Sequence, residues 1–110
     1  MRYVFDLDGT LCTTTDGDYN VARPLRDRIA RVNQLFDSGH DITIYTARGM
    51  GRNKDNQIAA IAQFYDLTLA QLQSWGVKFH DLRLGKPSGD IYIDDKGVND
   101  AEFFTEFFAD

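Results

Sequence analysis

The sequence YVFDLDGT, residues 3–10, joins a short apolar run to two aspartates that are followed by glycine and threonine. The apolar run is rich in β-branched and aromatic side chains, which is typical of a strand. Gly9 supplies a sharp turn directly after the acids. We therefore expect a first strand whose carboxyl end carries two carboxylates, Asp6 and Asp8, in one small region.

Three more apolar runs predict three more strands. They lie at residues 42–45, within 77–84 and at 91–93. Because the runs read as continuously apolar and alternate with helical segments, they favour a parallel sheet covered on both faces. The prediction is one α/β domain over residues 1–110, a small three-layer Rossmann-like sandwich with a minimal, mainly parallel sheet of about four strands.

Helical patterns fill the segments between these runs. Apolar residues three and four apart predict helices over residues 24–38 and 55–65. Thr68 and Gln71 form a capping-box pattern, which predicts a separate short helix that ends at Gly76. A last helix opens at Asn99 and carries four phenylalanines largely on one side: Phe103, Phe104, Phe107 and Phe108.

Composition and charge bound the function classes. The chain has 12 Lys and Arg against 17 Asp and Glu, a net charge of −5 that argues against coating nucleic acid by charge alone. The hydrophobic content of 43% supports a folded core and excludes disorder. A single cysteine, Cys12, excludes an internal disulfide or a Cys-rich zinc site. Two aspartates interrupt the apolar N-terminus, so we expect no membrane span and a cytoplasmic protein.

Polar side chains follow three of the four predicted strands. Ligands of open α/β sheets bind at the carboxyl ends of the strands, so these groups are expected to converge. Four carboxylates at one edge would raise each other's pKa, and Mg²⁺ would relieve that repulsion. A metal ion, a lysine and a hydroxyl together are typical of phosphoryl chemistry. The residues concerned are Asp6, Asp8, Thr46, Lys86, Asp94 and Asp95.

The order of these residues resembles the haloacid dehalogenase (HAD) superfamily. Residues 4–11 resemble its first motif, a strand followed by DxDGT, and residues 42–46 resemble the second, a strand that ends in Thr or Ser. Lys86 fits the third motif and residues 91–95 fit the acidic fourth. Residues 46–50, 85–87 and 92–96 are also similar to small phosphatases associated with capsule and surface-polysaccharide biosynthesis.

The resemblance implies a role for each matching residue. Asp6 would be the nucleophile that forms an aspartyl-phosphate intermediate, and Asp8 would serve as general acid and then general base. Thr46 and the amide of Ala47 would hold phosphate oxygens, while Lys86 would balance their charge. Gly9 and Thr10, in the turn of the first motif, would add substrate contacts.

Mg²⁺ is the implied cofactor. Its ligands would be Asp6, the backbone carbonyl of Asp8 and Asp95, with Asp94 acting through water and Asp100 as an outer ligand. Whether Asp94 or Asp95 binds directly stays open, as does the choice of Lys86 or Lys96 as the motif lysine.

No cap domain is expected, because residues 12–23 are long enough only for a flap hairpin around residues 16–18. Capless members of the superfamily act on large substrates or cover the site with a neighbouring subunit, so a homo-oligomer is one expectation. Arg48, Arg52 and Lys54 form a basic loop after the second motif. We predict that Arg48 and Arg52 grip an anionic leaving group.

These features favour a Mg²⁺-dependent phosphomonoester hydrolase acting on a sugar phosphate or related metabolite in polysaccharide biosynthesis. Two alternatives stay open. A receiver-like phosphoacceptor module would need its phosphorylated aspartate at the end of the third strand, where only Asp81 is available. A nucleic-acid or nucleotide 3′-end phosphatase would fit an open site and a basic loop, although the net charge argues against it.

Overall fold

Strands and helices alternate along residues 1–106, the part of the chain that this computed structural model describes. Within that range lie three strands and three α-helices, and a 3₁₀ helix covers Tyr19–Val21. The elements are β1 (Arg2–Phe5), α1 (Arg26–Asp37), β2 (Asp41–Thr46), α2 (Gln57–Ser74), β3 (Asp81–Leu84) and α3 (Asp100–Glu106). The strands form a parallel sheet in the order β1-β2-β3, which confirms the predicted α/β class.

The register of the sheet places its apolar residues on one face. Phe5 pairs with Ile44, and Ile44 pairs with Leu82. All three side chains are buried against the helices. β2 alternates buried and more exposed positions along its length, so Thr43 and Tyr45 point to the opposite face.

The prediction of three layers is wrong for the described residues, which form two. Strand order β1-β2-β3 requires two crossovers of the same hand, and these bring α1 and α2 to the same side of the sheet. The other face carries polar and charged side chains that line a shallow depression. The prediction of a continuously apolar run at residues 42–45 is wrong, because Thr43 and Tyr45 alternate with the buried residues.

The predicted fourth strand is absent from the described residues. Ile91 and Ile93 are 79% and 95% exposed, and residues 91–93 pair with no strand. The Tyr92 hydroxyl instead donates to the carbonyl of Pro87 and accepts from the Gly89 amide, at 2.6 Å and 2.9 Å. These contacts hold the three-residue run in a local loop.

α2 is one helix where two were predicted. No glycine or proline interrupts it between its first residue and Gly76, which has φ +71° and follows its last turn. Asn56 caps its start by accepting from the Ala59 amide at 3.0 Å. Thr68 is fully buried in mid-helix, so its predicted capping role is wrong. No helix in residues 1–106 is long and apolar enough to cross a bilayer.

α3 packs against the edge strand of the sheet. Phe103 makes edge-on contacts with Phe5, and Phe104 stacks on the same ring. Arg28 of α1 holds the helix through a 2.6 Å ion pair with Asp100 and lies over the Phe104 ring. Two further members of the predicted aromatic cluster, Phe107 and Phe108, lie outside the described residues.

Candidate active site

A cleft of about 250 Å³ opens at the carboxyl ends of β1 and β2. Its walls come from the turn after β1, the turn after β2, the start of the loop after β3 and the flap at residues 14–19. The four residues predicted to act in catalysis all line it: Asp6, Asp8, Thr46 and Lys86. The cleft thus lies where ligands of open parallel α/β sheets are expected.

The turn after β1 is fixed from below. Leu7 and Leu11 are fully buried in the core, and Asp6 and Asp8 flank the first of them. Gly9 has φ +81°, which favours glycine, and its amide donates to the Cys12 carbonyl at 2.8 Å. The buried leucines therefore fix the backbone that carries both carboxylates at the edge of the sheet.

Gly9 and Thr10 do not match their predicted role. Their amides donate to the Cys12 and Leu7 carbonyls inside the turn, and neither residue lines the cleft. In this structure their backbone amides shape the turn.

Asp6 and Lys86 face each other across the cleft. Lys86 Nζ lies 3.6 Å from Asp6 Oδ1, and its ammonium group lies 4.2 Å from the centre of the Tyr92 ring. Burial raises the pKa of Asp6 above its ordinary value of 3.8, while the charge of Lys86 opposes that rise. Lys96 is exposed in the loop after β3, so Lys86 is the lysine of the cleft.

Thr46 and Ala47 form the wall contributed by the end of β2. Thr46 is 1% exposed, and its Oγ1 accepts from the Arg48 amide at 3.1 Å. That contact leaves the hydroxyl proton of Thr46 available to donate toward the cleft. Ala47 lines the cleft beside it, and its predicted contact with phosphate oxygens stays a prediction.

Arg48 differs from its prediction. Its side chain is 0% exposed, and Nε and Nη2 donate to the two carboxylate oxygens of Asp8 at 2.9 Å and 3.0 Å. The guanidinium is therefore engaged inside the protein and does not extend from a basic loop toward a leaving group. Cys12 donates to the same carboxylate at 3.4 Å, and burial and the Asp8 charge raise the pKa of its thiol to about 12.

Arg52 holds the flap instead of a ligand. It donates to the Gly17 carbonyl and lies over the rings of Tyr19 and Phe64, and it does not line the cleft. The Thr13 amide donates to the carbonyl at residue 23 at 2.9 Å and closes the base of the flap. Arg52 is thus a structural link between the flap and α2.

The structure does not gather the four predicted metal-binding carboxylates. Among residues 1–105, no three His, Cys, Asp or Glu side chains are grouped so that they could share a metal ion. Asp94 and Asp95 are exposed in the loop after β3. The Lys96 amide donates to Asp94 at 2.8 Å and lowers its pKa, as in a local turn. The donors as they stand do not fit the predicted Mg²⁺ site, and Asp100 is engaged with Arg28.

Several residues that line the cleft were not among the predicted site residues. Thr14, Thr15 and Asp16 at the tip of the flap line it, and Tyr92 contributes a ring where a strand was expected. Thr15 Oγ1 is buried and has no hydrogen-bond partner within the described part of the chain. Gly17 predicts a turn in this segment, but a local pattern does not indicate that the turn lies over the cleft.

Comparisons with known proteins bear on the fold. No protein-family model and no curated protein matches this chain. The crystal structure of an MCSG target from Vibrio cholerae is similar over 94% of this chain and 87% of that one, with 29% identity and a TM-score of 0.87. The α/β architecture is therefore shared with a protein solved by experiment, and the class defined by fold and site is a small parallel α/β protein with an acidic cleft at its strand ends.

Proposed function

We propose that this protein is a phosphomonoester hydrolase of the HAD type that works through an aspartyl-phosphate on Asp6. One observation carries the proposal: Asp6, Asp8, Thr46 and Lys86 line a single cleft in the chain order that the resemblance requires. A carboxylate, a second carboxylate two residues later, a hydroxyl and an ammonium group are the set that phosphoryl transfer through a covalent intermediate uses.

In the first step, a carboxylate oxygen of Asp6 attacks phosphorus and the bond to the leaving oxygen breaks. Asp8 gives its proton to that oxygen, so the alcohol leaves neutral. Lys86, 3.6 Å from Asp6, balances the charge that accumulates on the phosphoryl oxygens. The Thr46 hydroxyl donates to one of these oxygens.

In the second step, water attacks the phosphorus of the aspartyl-phosphate. Asp8, now a carboxylate, accepts a proton from the water, and the bond between phosphorus and Asp6 breaks. Inorganic phosphate leaves, and both aspartates return to their starting states. Placing Asp8 beside the nucleophile speeds loss of the phosphoryl group, which favours a hydrolase over a lasting phosphoacceptor.

The substrate that we propose is a sugar phosphate or related metabolite of polysaccharide biosynthesis, a class that comes from the resemblance of residues 46–50, 85–87 and 92–96. A cleft of about 250 Å³ is compatible with a phosphate and a small organic group. A second copy of the chain covering the open site belongs to the same proposal. Dependence on Mg²⁺ is also part of the proposal, and it is implied by the resemblance alone.

Neither alternative gains support from the arrangement of the described residues. Asp81, the candidate phosphoacceptor of a receiver, begins β3 at the opposite end from the cleft and pairs with Arg83 at 2.7 Å. A nucleic-acid substrate would need several free basic groups. Of the basic loop, Arg48 is buried on Asp8 and Arg52 is bound to the flap, which leaves the exposed Lys54.

The test is phosphate release from a panel of sugar phosphates, nucleotides and aryl phosphates, with Mg²⁺ and with a chelator. We expect hydrolysis by the wild type and a loss of about 10⁴-fold or more in Asp6→Asn. Asp90→Asn, a charge-matched change at an exposed loop residue, is the control and should keep full activity.

A folded wild-type protein that releases no phosphate from any ester with Mg²⁺ would overturn the proposal. A phosphorylated Asp6 that persists for minutes would favour the receiver instead. Equal rates with Mg²⁺ and with chelator would contradict the metal requirement while leaving the covalent step in place.

A further inference from the structure

We propose that Arg48 is a positioning residue that holds Asp8 in place for proton transfer and connects it to the base of the flap. This inference rests on the proposed hydrolase function. Arg48 has a fully buried side chain at the inner wall of the cleft, next to a carboxylate that is 22% exposed. Its guanidinium faces that carboxylate from the protein side, so the cleft side of Asp8 stays accessible.

The contact between Arg48 and Asp8 is bidentate. Nε and Nη2 lie 2.9 Å and 3.0 Å from the two oxygens, which fixes both the position and the plane of the carboxylate. An aspartate without such a partner would rotate about χ1 and χ2 and sample several rotamers. A proton donor must lie within about 3 Å of the leaving oxygen, so a fixed plane matters for the reaction.

The remaining donors of Arg48 are held by α2. Nη1 lies 2.5 Å from Gln71 Oε1 and 3.3 Å from Thr68 Oγ1. The same two residues form the capping-box pattern of the sequence. The position of Asp8 is therefore set by a rigid helix through one buried arginine.

The same network reaches the flap. Gln71 Nε2 donates to the Tyr19 carbonyl at 2.6 Å, and the Arg48 guanidinium lies 4.8 Å from the centre of the Tyr19 ring. The Gly49 amide donates to the Tyr19 hydroxyl at 3.0 Å. Tyr19 begins the 3₁₀ helix that ends the flap, so Asp8 and the flap share one set of buried contacts.

This role predicts a particular pattern of lost activity. Asp8 protonates the leaving oxygen, and that help matters most when the leaving group is a poor one. An aliphatic alkoxide needs the proton, whereas p-nitrophenolate leaves without it. A misplaced Asp8 therefore slows phosphoryl transfer to Asp6 much more from alkyl esters than from activated aryl esters, because only the former depend on the general acid in that step.

The experiment measures kcat/KM of Arg48→Lys, Arg48→Met and Gln71→Met on p-nitrophenyl phosphate, phenyl phosphate and glycerol phosphate, because kcat/KM reports phosphoryl transfer to Asp6 and not the later hydrolysis that all esters share. We expect the Arg48 variants to lose about 100-fold in kcat/KM on the poorest leaving group that the wild type hydrolyses, with a loss that shrinks toward p-nitrophenyl phosphate. Gln71→Met, which leaves Asp8 and Arg48 paired, should show the same trend at smaller size.

Arg26→Met is the matched control. It removes another arginine that donates to a backbone carbonyl, that of Trp75 at 2.9 Å, at the far end of α2. It should change neither kcat/KM nor its dependence on the leaving group. Circular dichroism establishes that each variant is folded, and Arg48→Lys and Gln71→Met carry the test if Arg48→Met does not fold.

Equal losses on all three esters would overturn the inference, because a purely structural defect does not distinguish leaving groups. A wild-type kcat/KM in both Arg48 variants on the poorest leaving group would also overturn it, because Asp8 would then be placed correctly without the arginine. A wild type that hydrolyses none of the esters in this experiment or in the wider panel refutes the hydrolase itself, and the inference falls with it.

Discussion

The loop after β1 and the loop after β3 both carry aspartates, but the protein holds them in opposite ways. Asp6 and Asp8 stand on the buried Leu7 and Leu11, and Asp8 is gripped by a fully buried arginine. Residues 87–99 are all exposed, and their contacts are mainly with one another. Packing beneath a turn, rather than the number of its charges, decides which carboxylates are fixed.

The first prediction compares the lysines of these two regions. Lys86→Met should lower kcat by about 10²–10³-fold, the usual cost of removing one charge-stabilising donor, because its ammonium lies beside Asp6. Lys96→Met should leave kcat within twofold or so, since Lys96 is exposed in the outer loop. Phosphate release under saturating substrate measures both. A greater loss in Lys96→Met would reverse the comparison and bring residues 94–96 into the site.

The second prediction compares the apolar residues of the two loops. Leu11→Ala should lower the free energy of unfolding by about 2–5 kcal/mol, because it opens a cavity under the turn at a fully buried position. Ile93→Ala, at a side chain that is 95% exposed, should change it by less than about 0.5 kcal/mol. Urea unfolding followed by circular dichroism measures the difference. Similar losses in both variants would mean that Ile93 is packed in solution.

The third prediction uses a pair of glycines. Gly49 has φ +79°, and an added Cβ would lie 2.5 Å from the Phe64 ring, so Gly49→Ala should cost about 1–3 kcal/mol of stability. Gly97→Ala meets nothing closer than 3.7 Å and should be almost neutral. Thermal unfolding separates the two, and a neutral Gly49→Ala would contradict the tight contact between the turn after β2 and α2.

The smallest expected effects concern charge and pH. Burial raises the pKa of Asp6, so the ionised carboxylate destabilises the folded state above that pKa, and Asp6→Asn should raise Tm at neutral pH. The pKa of Asp94 is lowered by the Lys96 amide, so Asp94→Asn should lower Tm there. The gain in Tm from Asp6→Asn should vanish when the pH falls below 3.8, the ordinary pKa of an aspartate. The loss in Tm from Asp94→Asn should vanish when the pH falls below the still lower pKa of Asp94.

Melting curves from neutral to acidic pH in the presence of chelator measure both differences. If Asp6→Asn lowers Tm at neutral pH, attraction to Lys86 outweighs the cost of burying Asp6. If both variants shift Tm in the same direction, the ionised forms of Asp6 and Asp94 do not have opposite effects on stability, and the expected contrast between the two loops is wrong for their charges.

The parts of the fold that rest on local patterns could be predicted from the sequence. The turn at Gly9, the strand at residues 42–45 and the helix stop at Gly76 depend on nearby residues, and each is present. Parallel strands then bring Asp6 and Thr46 to one edge whatever the remaining contacts are.

The parts that depend on distant partners could not be predicted. Nothing local indicates that Thr68 and Gln71 bind a buried arginine 20 or 23 residues away, because the same spacing also describes a helix cap. The short apolar run around Tyr92 resembles a strand, but a strand needs a neighbour to pair with. The hydrogen bonds of the Tyr92 hydroxyl to Pro87 and Gly89 cannot be predicted from a hydrophobic pattern either.

Cys12 gives the molecule a built-in chemical probe. It is the one cysteine in the chain, and with a thiol pKa of about 12 almost none of it is the reactive thiolate at neutral pH. Because Cys12 is also fully buried, an alkylating reagent reaches it only when the turn around Asp8 opens and exposes it to water. The rate of alkylation would time those openings in the unmodified protein, and a ligand seated in the cleft would slow it in proportion to its occupancy.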